Sequence, residues 1–102
     1  MDYYELEIDY HEIENEFELN GDKYTAICGI TIFFDIDKDE DYTGVFYKPI
    51  NVKFELNSLI LSNEKEEILE ENIPEEIIKK VMNHINPRKW ECRMIEHYME
   101  VK

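Results

Sequence analysis

Alanine occurs once in this chain, at Ala26, while glycine and proline each occur three times and cysteine twice, as Cys28 and Cys92. Gly21, Gly29 and Gly44 stand apart from one another. No G-x-G-x-x-G or G-K-[ST] loop is therefore present to cradle a phosphate, and nucleotide binding by those routes is excluded. The two cysteines form no C-x-x-C unit, and without a secretory start they read as free thiols of a reducing compartment rather than as a disulfide. His11, His84 and His97 share no metal-ligand spacing, and Cys92 with His97 lacks the second pair that zinc requires. Long apolar runs are also missing: the longest, Ala26–Ile30, counts a glycine, and Met1-Asp2-Tyr3-Tyr4-Glu5 has neither the basic start nor the apolar stretch of a signal peptide. The expectation is a soluble cytoplasmic protein with no cofactor and no resident metal.

Positive charge is scarce where negative charge is dense. Residues 1–41 hold 14 of the 25 carboxylates against only Lys23 and Lys38, a balance of −12, whereas the remaining 61 residues hold 11 acids and 9 bases. So large an anionic excess repels DNA, RNA and anionic membranes alike, which leaves cationic partners. With 102 residues, 43% of them hydrophobic and 13% aromatic, the chain has the material for one core and is read as a single domain, 1–102, rather than as an acidic disordered tail.

The strongest local signal is Asn20-Gly21, the pair that supplies the two positive φ angles of a type I′ hairpin turn. A two-residue loop sets Leu19 opposite Asp22, Glu18 opposite Lys23 and Phe17 opposite Tyr24. Further back it sets Asn15 opposite Ala26 and Ile13 opposite Cys28. On the second strand Tyr24, Ala26, Cys28, Ile30, Ile32, Phe34 and Ile36 alternate without a fault, but on the first the apolar positions switch from odd (Ile13, Phe17, Leu19) to even (Tyr4, Leu6, Ile8, Tyr10). A β-bulge near His11 and Glu12, opposite Gly29, absorbs that slip and pairs Tyr10 with Ile30, Ile8 with Ile32, Leu6 with Phe34 and Tyr4 with Ile36. The other face of the first strand then reads Glu5, Glu7, Asp9, Glu12, Glu14, Glu16 and Glu18.

Residues from Asp35 to Thr43 read as a polar turn, followed by a third strand with Phe46, Ile50, Val52, Phe54 and Leu56 on one face and a parity switch at Asn57-Ser58. Beyond that switch, Leu59 and Leu61 belong either to a bulged extension or to a short fourth strand. Residues 66–73 are ambiguous. Pro74 with Glu75 and Glu76 opens a helix whose core stripe is Ile77, Ile78, Val81, Met82 and Ile85. Asn86-Pro87 ends it and caps a second helix over Trp90, Met94, Ile95, Tyr98 and Met99, with a strand from Trp90 to Met94 as the alternative. The class is α+β: an antiparallel sheet of three to four strands, then two C-terminal helices packed on one face.

Asp35, Asp37, Asp39 and Asp41 take the odd positions of a calcium loop, but Glu40 stands where that loop requires glycine and Phe46 where it requires a bidentate glutamate. An exposed row of carboxylates also lacks the burial or poised neighbour that raises the pKa of a general acid, so no catalytic pair is assigned. The basic cluster of Lys79, Lys80, Arg88, Lys89 and Arg93 is offset by Glu75, Glu76, Glu91 and Glu96 and reads as a solvated helical face, or as a contact for the acidic face of a second copy.

The row therefore carries the functional expectation. Either it merely keeps an outer strand from pairing with other chains, or it imitates the charge track of a nucleic-acid strand. In size, charge and lack of catalytic residues the chain is similar in kind to small acidic phage-encoded inhibitors of restriction and CRISPR enzymes. That likeness is compositional and transfers no residue. It implies a non-enzymatic inhibitor or regulator whose partner-binding residues are Glu5, Glu7, Asp9, Glu12, Glu14, Glu16, Glu18, Asp35, Asp37, Asp39 and Asp41, and whose partner is a cationic nucleic-acid-binding enzyme or complex. A structural or assembly role through surface aromatics (Tyr3, Tyr42, Phe46, Tyr47, Trp90, Tyr98) is the alternative.

Overall fold

The computed structural model describes residues 3–101. Three long strands, β1 (Tyr4–Leu19), β2 (Asp22–Asp41) and β3 (Gly44–Ser62), and a short β4 (Glu67–Leu69) form one antiparallel sheet in the order β1-β2-β3-β4. A 3₁₀ turn (Glu70–Asn72) leads to helix α1 (Glu75–Asn83), and a second 3₁₀ turn (Pro87–Trp90) leads to helix α2 (Glu91–Val101). The expected α+β class and order are those of the molecule.

The β1–β2 turn is as the sequence predicts, with Asn20 at φ 53° and Gly21 at φ 86°. Phe17↔Tyr24, Glu18↔Lys23 and Leu19↔Asp22 face each other. Beyond those pairs the predicted register is two residues out: Ile13 faces Ala26, His11 faces Cys28, Ile8 faces Ile30, Leu6 faces Ile32 and Tyr4 faces Phe34. The cause is a pair of irregularities instead of one bulge at His11 and Glu12. Asp9 and Tyr10 bulge opposite Gly29, while Glu14 and Asn15 are inserted between the pairs Ile13↔Ala26 and Glu16↔Thr25. Tyr10, expected beside Ile30 in the core, is consequently 65% exposed.

The segment 35–41 is strand, not turn: β2 runs on to Asp41 and reverses through Tyr42 and Thr43. Among the described residues, pairing with β1 ends at Phe34, so the distal β2–β3 hairpin extends past β1 as a two-stranded arm and stretches the molecule to 58 × 26 × 21 Å. In β3 the parity switch at Asn57 is a bulge within a single strand, and a second irregularity at Asn51 and Val52 turns Ile50 and Phe46 to the face opposite Phe54 and Leu56. Asn51 takes φ 54°, a left-handed conformation that asparagine tolerates.

Even-numbered residues of β2 from Tyr24 to Phe34 point into the core with Leu6, Ile8, Ile13, Phe17, Leu59 and Leu61. Both helices close that side. Glu75 and Glu76 sit at the positive end of the α1 dipole and Lys80 near its negative end, while Ile77 and Val81 reach the sheet. The Asn86 side chain accepts from Arg88 N–H at 3.1 Å and starts the turn that seats Trp90 against His11, with ring centroids 4.8 Å apart. Met94 of α2 is fully buried. Among the described residues, no helix lies over the opposite face of the sheet.

Candidate functional site

Residues paired across an antiparallel ladder share a face, so the register decides where each acid stands. Glu5↔Phe33, Glu7↔Thr31, Glu12↔Ile27, Glu16↔Thr25 and Glu18↔Lys23 place these five glutamates with the odd-numbered residues of β2, on the face the helices leave open. Asp9 lies within the bulge opposite Gly29. Glu14 falls in the two-residue insertion and so stands apart from the row; with Glu12, His84, Asn86 and Lys89 it lines a cleft of about 170 Å³ at the edge of β1. All seven side chains are exposed.

The aspartates of the arm continue the same face. Asp35, Asp37 and Asp39 follow Phe33 at a spacing of two and pair with Ile50, Lys48 and Phe46. They therefore extend the β1 row past its end, one strand over. From Glu18 to Asp41 the acids follow β2 for about 60 Å at ~3.3 Å per residue, which matches the 58 Å length of the molecule. Consecutive members stand about 6.7 Å apart along a strand, too far to share one cation at the 2.3–2.6 Å that calcium needs. Among the described residues no three His, Cys, Asp or Glu side chains converge as a metal site.

Lys23, Lys48 and Lys53 lie on this face, opposite Glu18, Asp37 and Phe33. None of them approaches a carboxylate of the row: among the described residues the ion pairs are Lys38–Glu40, Lys65–Asp22 and Arg88–Glu91. Two of the arm's aspartates have local partners. Asp41 accepts hydrogen bonds from the Thr43 hydroxyl and backbone N–H, which hold its carboxyl below the usual range and fix the turn. Asp35 accepts from Asn51 Nδ2 at 3.2 Å.

Odd positions of β2 that are apolar, Ile27 and Phe33, were not singled out in the sequence because the even positions alone explain the core. Their signal is legible in hindsight: a central strand apolar at both parities carries hydrophobic surface on both faces. On the open face Ile27 neighbours Ile60, which neighbours the exposed Leu69 of β4. Further along, Tyr3 meets Phe33 edge-on, with centroids 5.7 Å apart and planes at 71°. The acid row thus borders an apolar strip.

The surface aromatics of the alternative reading do not gather. Trp90 is in the core, and Tyr98 packs between Tyr4 and Tyr47 at 5.2 and 5.5 Å. Tyr42 is fully exposed at the arm's tip, and Phe46 is 54% exposed beside it.

Compared with known protein families, curated proteins and solved structures, the chain matches none at a significant level. Among the described residues, no helix is long and apolar enough to cross a membrane.

Proposed function

We propose that the protein is a non-enzymatic inhibitor or regulator that lays its open sheet face on the basic groove of a nucleic-acid-handling protein, in place of the nucleic acid. The observation that carries this reading is the line of carboxylates along the full length of one face, exposed except for the half-buried Asp35 and, among the described residues, in no ion pair. At about 6.7 Å per charge, the track has roughly half the axial charge density of one DNA strand, which carries a phosphate every ~3.4 Å. A device that only kept β1 from pairing would need neither the arm's aspartates nor their alignment with the glutamates. Bulges at Asp9-Tyr10 and Glu14-Asn15 already protect that edge.

The test is capture on immobilised protein, comparing the native chain with the triple variant Glu7→Lys, Glu12→Lys and Glu16→Lys. Native protein should retain nucleic-acid-binding proteins that rising salt or competing duplex DNA releases, and the variant should retain none of them. Capture that survives the reversals, or that duplex DNA fails to displace, would sink the proposal.

A second reading, association through the arm, is favoured by Tyr42, fully exposed at its tip, and Phe46, 54% exposed in the strand that follows. It differs in its insensitivity to salt and in its loss on substitution of Phe46.

A further inference from the structure

Where β1 stops and the arm begins, the open face is indented by a pocket of about 390 Å³ lined by Tyr3, Phe33, Asp35, Asn51 and Lys53. Its walls are aromatic: Phe33 pairs with Lys53 and Glu5 on the open face, and Tyr3 stands against it edge-on. Its rim is a positioned carboxylate, because the irregularity in β3 that places Asn51 at φ 54° also lets the Asn51 amide donate to Asp35 Oδ2 at 3.2 Å. Asp35 Oδ1 has no hydrogen bond among the described residues. The pocket lies on the acidic track, between Glu5 and Asp37.

We infer that this pocket is a binding site for an arginine side chain of the cationic partner, the guanidinium lying against Phe33 and Tyr3 while it donates to Asp35. The inference rests on the acidic-face reading above and names the side chain that anchors it. A guanidinium is planar and weakly hydrated, stacks flat on aromatic faces and presents a fork of donors to a carboxylate; an ammonium is attracted to a ring but is strongly hydrated, cannot stack flat and offers no fork. Elsewhere the track passes the Ile27–Ile60–Leu69 strip and the exposed Phe46 opposite Asp39, but among the described residues it does not again set two rings in contact beside a hydrogen-bonded carboxylate. Among the described residues Lys53 is the one cation at the rim, and its charge opposes the guest.

Fluorescence anisotropy with arginine-only and lysine-only peptides of equal length tests both levels separately. The native protein should bind the arginine peptide more tightly by roughly two- to thirty-fold, the range a cation–π contact supplies. Tyr3→Leu and Phe33→Leu, which keep apolar volume and remove a ring, should erase that preference while leaving lysine-peptide binding intact. Lys53→Gln should strengthen arginine binding. Equal affinity for the two peptides, a preference that survives both leucine variants, or weaker arginine binding by Lys53→Gln overturns the pocket and leaves the acidic face standing. Failure of both peptides to bind overturns the acidic face and the pocket with it.

Discussion

The backbone N–H of Gly29 donates to Ser58 Oγ at 3.1 Å, and a Cβ added at position 29 would lie 2.9 Å from that same oxygen. On the other side of the strand the Asp9 carbonyl oxygen would stand 3.3 Å from that Cβ. Gly29 is thus held between the Asp9-Tyr10 bulge of β1 and the Asn57 bulge of β3. The two irregularities meet at the one residue without a side chain, and the serine hydroxyl supplies the acceptor for its amide.

Gly29→Ala should therefore destabilise by about 1–3 kcal/mol through overpacking. Ser58→Ala alone should cost about 0.5–1.5 kcal/mol, by removing the acceptor of this partly buried N–H. Because the alanine methyl and the serine oxygen compete for one space, the double variant should lose less than the sum. Urea denaturation of the four proteins reads the cycle, and additivity would show that the two residues are not coupled.

Tyr24 is pushed up to about 12, chiefly because its hydroxyl donates to the Glu66 carboxylate at 2.5 Å and secondarily by burial. The folded state then holds the phenolic proton more tightly than the unfolded chain, whose tyrosines ionise near 10. That contribution is complete below about pH 10 and disappears as pH rises through about 12. An ultraviolet titration should show one of the seven tyrosines ionising late, and Tyr24→Phe should remove that phase. A late phase that persists in the variant would contradict the assignment.

Cys28 lies in the core, where burial pushes its thiol up, while Cys92 is exposed on α2. A thiol reagent should label one cysteine per native molecule and both after denaturation. Cys92→Ser should make the native protein unreactive.

The row's charges repel one another and outnumber the three lysines on their face, Lys23, Lys48 and Lys53, so the native protein should melt at a higher temperature as salt shortens the Debye length from ~30 Å to ~3 Å. Neutralising Glu5, Glu7, Glu12, Glu16 and Glu18 to glutamine should raise Tm or leave it within the ~0.5 kcal/mol per site typical of surface changes, and should flatten its salt dependence. A clear fall in Tm would mean that these carboxylates support the fold.

The Asn20-Gly21 turn, the pairs nearest it and the α1 start at Pro74 were legible because each follows from local backbone chemistry. The pairing further out was not. Moving a strand by two residues preserves every inside–outside assignment, so alternation reads the face of Ile8 or Ile13 and leaves its partner open. Tyr10 was misplaced because the site of its bulge depends on Gly29, remote in sequence, and Glu14 because the two-residue insertion with Asn15, between the pairs Ile13↔Ala26 and Glu16↔Thr25, leaves the alternation on either side intact. Asp35–Asp41 reads as a turn by composition, since aspartate is a poor strand former. It is strand because Tyr42-Thr43, closed by Asp41, makes a tighter reversal and lets the alternation of Asp37 and Asp39 with Ile36 and Lys38 continue. The pocket beside Asp35 was illegible, because it depends on the kink at Asn51.

The distal hairpin touches the body of the molecule only near its base. Past Ile36, Pro49 and the Tyr47–Tyr98 contact, its strands pair only with each other among the described residues. Local opening there breaks few buried contacts, so amide exchange should grade from slow beneath Met94 to fast between Lys38 and Phe46. The molecule is built as a firm block with a springy prong, and a guest that grips the prong also has to still it.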